Sequence, residues 1–292
     1  NSYSDTGLSA STSYTYRIRA VDAAGNLSNY SSTASATTQA SSATTITLNP
    51  STTYQTMNGW EGAILHTIND YKPVLSSLDA VLNVAVNDIG LTRARLELPS
   101  GVENPTDWPG QYVSGSITEG TYLSHAYESI NDNSDPNSIS ASNFKWAVVD
   151  YEIDKFIVPL RQKLAARGES LFINLNYVDF DAQGTLEHAN NAQEYAELIL
   201  ATFQHMQSKY GFVPNGIEMI LEPDLAANWG SGTKIGNAVV ATANKLSANG
   251  FAVPDFILPS TTSAGNAVAY YNAAKAVSGA SPLIKEISYH RL

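Results

Sequence analysis

Residues 216–224 read GIEMILEPD. An apolar run of strand character, from Gly216 onward, ends in the carboxyl of Glu222, and Pro223 follows at once. A buried carboxylate is costly unless something binds it, so two readings fit Glu222. It is a solvated loop residue, or it is an acid held at the end of a buried strand. Pro223 restricts its predecessor to extended backbone, so the strand is expected to run through residues 216–222 and turn only after Glu222. Glu218 shares the parity of Glu222 and is the competing carboxyl, but it lies nearer the N-terminal end of the segment.

Outward from this stretch the rhythm repeats. Strand candidates lie at 53–64, 91–98, 171–178, 255–260 and 283–290. Helical patterns separate them. Residues 72–89 carry Leu75, Leu78, Leu82, Ala85 and Ile89 on one stripe. Residues 146–168 align Val149, Ile153, Phe156, Leu160 and Leu164, with Pro159 expected to kink the helix and Gly168 to end it. Residues 193–211, 235–250 and 266–277 complete the set. Short strands alternating with helices predict an α/β parallel sheet with helices outside. Neither GxGxxG nor GxxxxGK[ST] follows a strand, so a nucleotide-binding doubly wound sheet has no support. The expected fold is a (β/α)8 TIM barrel truncated after about the sixth strand; the remaining two strands would need roughly 60–100 further residues.

Residues 1–45 have a different composition, rich in Ser, Thr, Ala and Tyr. Tyr14, Tyr16, Ile18 and Ala20 alternate as in a strand, and AAGNLSNYS (23–31) supplies turn chemistry. DTGLSASTSYTYRIRAVDAAGNLS (5–28) resembles the last strands of a fibronectin type III sandwich, with Tyr14 in the place of its corner tyrosine. The expected organisation is a partial fibronectin type III module over 1–38, a Ser/Thr-rich linker over 39–45, and the barrel over 46–292.

Bulk composition narrows the function. Of 292 residues, 43% are hydrophobic and 15% charged, enough apolar material for a large core. The net charge of −11 argues against nucleic acid and anionic membrane surfaces as partners. There is no cysteine, which removes disulfides, thiolate metal sites and thiol nucleophiles. No apolar run approaches the ~18–20 residues of a membrane helix. NDNSDPNS (131–138) lacks the glycine and terminal glutamate of a calcium loop and reads as a polar loop.

In such barrels the chemistry sits at the C-terminal ends of the strands. Those ends read GWEG (59–62), RARLELPSG (93–101), NLNYVDFD (174–181), LEPD (221–224), PSTT (259–262) and SYHR (288–291). Glu222 is the sharpest candidate acid, because apolar walls raise a carboxyl toward the range of a general acid. Arg93, Arg95 and Glu97 alternate on one face; Arg95 needs a carboxylate partner there, or pairs with Glu97 itself. His290 can titrate near neutrality. Trp60, Trp108 and Trp229 offer flat apolar faces of the kind on which sugar rings stack, whereas Trp146 falls in a helical stripe and reads as packing.

Taken in order, TLNPSTTYQTMNGWEGAI (47–64), GLTRARLE (90–97), IEMILEPD (217–224) and ISYHR (287–291) resemble a retaining glycoside hydrolase of clan A, nearest family 30, with families 39 and 79 as neighbours. The resemblance implies Glu222 as general acid/base. It also implies a nucleophilic glutamate about 5 Å away on a seventh strand outside this sequence. Arg95 and His290 would support that nucleophile. Trp60, Glu61, Asn174, Asn176, Trp229 and Tyr289 would contact the sugar. The clan has Asn before the acid/base, where it binds the 2-hydroxyl, and this chain has Leu221. Either Asn174 or Asn176 replaces that contact, the substrate lacks it, or the barrel binds without cleaving. Glu61 stands where the family has a small residue, which implies an altered subsite. The expected function is a secreted, bacterial, endo-acting glycosidase of a polysaccharide, needing no cofactor, metal or obligate protein partner. The alternative is a non-catalytic carbohydrate-binding or adhesion protein.

Overall fold

A computed structural model describes residues 2–40, 49, 51–52, 59–64, 67–180, 184–186, 188–226 and 228–290. Most of the proposed linker, residues 53–58 of the first strand candidate, Asp181 and Arg291 lie outside these. The chain divides into two compact units, Asn1–Met57 and Asn58–Leu292.

The first unit holds an antiparallel pair, β1 (Ser13–Tyr16) and β2 (Ala34–Thr37), with Ser13 opposite Thr37 and Tyr16 opposite Ala34. The Tyr14 hydroxyl accepts a hydrogen bond from the Ser9 N–H at 3.0 Å.

The second unit is built on six parallel strands in strict sequence order: β3 (Trp60–Ile64), β4 (Leu91–Pro99), β5 (Phe172–Val178), β6 (Gly216–Glu218), β7 (Asp255–Thr261) and β8 (Ile284–Tyr289). Helical segments fill the connections: α1 (Ile68–Tyr71), α2 (Leu78–Val84), α3 (Trp108–Val113), α4 (Glu119–Leu123), α5 (Ala147–Glu152), α6 (Val158–Ala165), α7 (Ala192–Tyr210), α8 (Gly232–Ala248) and α9 (Ala264–Lys275). Among the described residues, none of these is long and apolar enough to cross a membrane.

Strand parity separates two chemistries. Ala94, Leu96 and Leu98 of β4, Ile173, Leu175 and Tyr177 of β5, and Ile217 of β6 join the hydrophobic core with Val149, Ile153, Leu160, Ile199 and Val239 from the helices. Arg93, Arg95 and Glu97, then Asn174 and Asn176, then Glu218 occupy the other face. That polar face is concave. In a flat sheet β4 and β8 would stand four spacings apart, about 19 Å, beyond the combined reach of two side chains. Yet the Arg93 guanidinium donates to both carboxylate oxygens of Glu286 on β8 at 2.8 Å. The sheet is therefore curled into a half-barrel, with charged and amide side chains inside and helices outside.

Three local expectations are corrected. The strand at 216–222 is regular only over Gly216–Glu218. Beyond it the backbone still reaches both neighbours, Met219 N–H to Ile257 O, Leu221 N–H to Tyr177 O and Glu222 N–H to Ser260 O. The helix at 72–89 is a 3-10 turn over Lys72–Ser77, then α2, then a π segment over Ala85–Ile89 that stops at Gly90, φ 73°. The helix at 146–168 likewise carries a π segment, Ile153–Ile157, just before Pro159. The wider turn makes room for a proline ring that would otherwise meet the carbonyl one turn back.

Candidate functional site

The C-terminal mouth of the half-barrel is organised by the turn that follows β6. Glu222 has φ 48°, in the left-handed region, not the extended backbone that Pro223 led one to expect. The following proline disfavours the right-handed region, and the hydrogen bonds of the turn hold the left-handed one. The Glu222 N–H is tied to Ser260 O at 3.0 Å, and its carbonyl receives the N–H groups of Leu225 at 2.9 Å and Ala226 at 3.0 Å. Its partner Ser260 is also left-handed, φ 53°. Two non-glycine residues in this region cost on the order of 1–2 kcal/mol each, and such conformations gather where function fixes geometry.

Asp224 anchors the same turn from outside. Its carboxylate accepts from the Thr262 N–H at 2.9 Å, the Thr262 hydroxyl at 2.7 Å and the Asn266 amide at 2.7 Å. Burial opposes ionisation of Asp224, yet Asn266 and Thr262 outweigh it and hold the carboxyl below its usual range. The turn between β6 and α8 is thus stapled to the connection between β7 and α9.

Inside, the Glu222 carboxylate meets His290 Nδ1 at 2.9 Å. The other imidazole nitrogen, Nε2, lies 3.8 Å from Glu218, too long for a hydrogen bond but close enough for charge to act. Glu218 is buried. Asn174 donates to it at 3.1 Å, and Arg95 lies 3.7 Å away. Burial would raise the Glu218 carboxyl, but His290, Arg95, Ser260 and Asn174 together keep it below the ordinary range. Glu218 and Glu222 in turn raise His290 above the ordinary histidine range, against the effect of its own burial. Arg95 also approaches Glu97 at 3.9 Å, so it lies beside two carboxylates.

Several atoms on this face make no hydrogen bond to the described protein: Arg95 Nε, Asn174 Oδ1, His290 Nε2, and both amide atoms of Asn176. Buried polar atoms are normally paired. A concave wall that gathers unpaired donors and acceptors of both kinds suits a ligand rich in hydroxyl groups. Among the described residues, no group of three or more His, Asp or Glu could hold a metal ion.

The remaining expected site residues go elsewhere. Trp60 and Glu61 open β3, opposite Leu91 and Arg93 at the start of β4, so both sit at the N-terminal end of the sheet. There Glu61 accepts from Arg93 at 3.1 Å and from Asn174 at 3.1 Å. Among the described residues GWEG thus stands at the beginning of β3 and not at its end. Trp229 is fully buried; its indole N–H donates to Asp179 at 3.2 Å and its ring packs edgewise on Tyr177 and Tyr195. It presents no open face to a sugar. Tyr289 is exposed, alternating with Ser288 to the face opposite Glu286 and Ser288. Trp146 is packing, stacked between Phe144 and His205.

Sequence reading undervalued Glu218, whose parity with Glu222 was the available signal, and overlooked Asp224, whose i+2 spacing from Glu222 across a proline marks a turn. It also passed over a buried chain from Tyr177 through His188 to Glu103, at 3.0 and 3.1 Å, in which Glu103 is far in sequence from the other two.

No family model matches the chain. A stretch of 45 residues is 58% identical to an alpha-amylase of Niallia circulans, covering 15% of this chain and 4% of that protein. The match is a small part of either chain.

Proposed function

We propose that this chain carries the acid/base half of a retaining glycoside hydrolase active site on a (β/α)8-type barrel. Glu222 is the general acid/base, and the nucleophile is a glutamate on a seventh strand outside the 292 residues. The observation that carries the reading is Glu222 itself: a carboxyl at the mouth of the half-barrel, held by a left-handed backbone, a turn stapled by Asp224, and the imidazole of His290. In the first step Glu222 would protonate the departing glycosidic oxygen as the nucleophile bonds to the anomeric carbon and the C–O bond breaks; in the second it would take a proton from the water that bonds to that carbon and displaces the nucleophile's carboxylate. Arg95 and His290 supply positive charge beside the carboxylates, and Asn174 and Asn176 are the amides placed to meet sugar hydroxyls. The alpha-amylase match supports a glycoside hydrolase in general terms. The Tyr14–Ser9 contact supports reading the first unit as the end of a fibronectin type III module, an arrangement suited by analogy to a secreted bacterial polysaccharide-degrading enzyme.

The test is hydrolysis of 4-nitrophenyl glycosides, soluble starch and xylan by the full-length protein and its Glu222→Gln variant. The proposal expects the variant to lose at least about 100-fold on polysaccharide; undiminished hydrolysis would remove Glu222 from the acid/base role.

A second reading, a non-catalytic carbohydrate-binding barrel, is favoured by Leu221. Its side chain is buried and its N–H is spent on Tyr177 O, so it offers a sugar hydroxyl nothing. Retained polysaccharide binding with no hydrolysis by the wild type would select this reading.

A further inference from the structure

The imidazole of His290 stands between two carboxylates of different kinds. Glu218 behind it is buried, ionised, and braced by Arg95 and Asn174. Glu222 in front is partly open at the mouth and bonded to Nδ1 through one oxygen, Oε1. The ring is fixed from its own backbone as well, since the His290 N–H donates to Thr261 O at 2.8 Å. An imidazole with an acid on each side is a good fit for the doubly protonated ring, which points one N–H at each anion. A neutral ring would leave one nitrogen lone pair facing a carboxylate.

We propose that His290 is a positioning residue: as an imidazolium backed by Glu218, it pins Oε1 of Glu222 and leaves Oε2 as the oxygen that exchanges a proton with substrate. This rests on the glycosidase reading of Glu222, and it shifts His290 from the nucleophile to the acid/base. The charged and titratable groups facing His290 are Glu218 on β6, Glu222 in the turn after it, and, across Glu218, Arg95 on β4. The flanking carboxylates favour the charged ring. The clamp is therefore complete below the His290 midpoint and is lost as pH rises through it.

Long-range proton–nitrogen NMR of the full-length protein labelled with 15N-histidine tests the clamp without any substrate. The His290 signals are assigned by their loss in His290→Asn. The proposal expects both ring nitrogens protonated at pH 7, a midpoint above the ordinary value of about 6.5, and a lower midpoint in each of Glu222→Gln and Glu218→Gln. A neutral ring at pH 7, or a midpoint that Glu222→Gln does not move, overturns it. Kinetics supply the second arm, with whichever 4-nitrophenyl glycoside the wild type turns over. The alkaline limb of kcat/KM, which reports the essential acid of the free enzyme, should move in His290→Asn, with kcat down about 10- to 100-fold as expected of a misplaced catalytic group. An unmoved alkaline limb in His290→Asn, alongside a dead Glu222→Gln, sinks the clamp and leaves the glycosidase reading intact. Full activity in Glu222→Gln sinks the glycosidase reading, whatever the NMR shows.

Discussion

Arg93 on β4 and Glu286 on β8 form a two-pronged ion pair, both contacts 2.8 Å, across the concave face of a sheet in which three strands separate them. The same guanidinium reaches Glu61 on β3 and lies over the ring of Phe172, 4.0 Å from its centroid. One side chain thus ties four strands at the N-terminal end of the half-barrel, the end away from Glu222. Arg93→Met removes the tie and leaves the Glu61 and Glu286 carboxylates without the guanidinium they share. Breaking a fully buried pair costs about 3–5 kcal/mol, but Glu286 is 37% exposed, so solvent screening reduces this to about 1–2 kcal/mol. The urea midpoint should fall with the slope unchanged, and the pH profile of any activity should stay where it was.

Glu152 at the end of α5 supplies a second, pH-dependent test. It is fully buried, and neither carboxylate oxygen has a hydrogen-bond partner in the described protein. Burial, with the nearby charge of Glu97, raises its carboxyl well above the ordinary range. A raised acid is ionised first in the unfolded chain. The folded state therefore loses ground once pH exceeds the unfolded value of about 4.3, by up to ~1.4 kcal/mol per pH unit until the folded midpoint is reached. Glu152→Gln removes that slope. The variant should gain on wild type steadily between pH 5 and pH 8 in urea titrations, with the smallest difference near pH 4. A constant difference across that range would mean Glu152 is not the titrating group.

The order of strands and helices was legible because it is carried by local periodicity: Leu96 and Leu98 alternate with Arg95 and Glu97, and Ile199, Phe203 and Met206 recur at helical spacing. The need of Arg95 for a carboxylate was legible from the cost of an unpaired buried charge. What escaped was set by tertiary register. Trp60 looks like the end of a strand until the pairing with Leu91 makes it the beginning. Glu222 before a proline looks extended until Ser260, 38 positions away along the chain, claims its N–H. Trp229 has the composition of a sugar platform and the packing of a core residue, because Asp179 satisfies its one polar atom.

That last contact is itself testable. Trp229 has no exposed surface, so its replacement is a packing change in the wall behind the site. Trp229→Ala should cost about 3–5 kcal/mol, as large aromatic deletions do. Trp229→Phe should cost less in volume but strand the Asp179 carboxylate without its N–H donor, adding about 1–3 kcal/mol. Neither variant, measured below its unfolding midpoint, should change KM for a short aryl glycoside. A selective rise in KM with Trp229→Phe would restore the indole to the substrate.

Asp224 ties together geometry, stability and activity in one side chain. Its three accepted hydrogen bonds from Thr262 and Asn266 hold the turn whose first residue is Glu222. Deleting them in Asp224→Ala frees the turn from the β7–α9 connection, and the left-handed Glu222 then relaxes toward backbone it finds cheaper. The stability loss should be modest, about 1–3 kcal/mol for a charged acceptor near the surface. The activity loss should be disproportionate, about 100-fold in kcat, because small misplacements of a catalytic group are expensive. Asp224→Asn retains a carbonyl acceptor for the Thr262 N–H and should recover part of the loss. The pH dependence has a definite sign. The folded carboxyl is held below its usual range, so its contribution is fully present above the unfolded value of about 3.9 and fades as pH falls through the folded one. Wild type and Asp224→Asn should therefore converge in stability on acidification, while a gap that persists undiminished to pH 2 would show that charge on Asp224 is not what holds the turn.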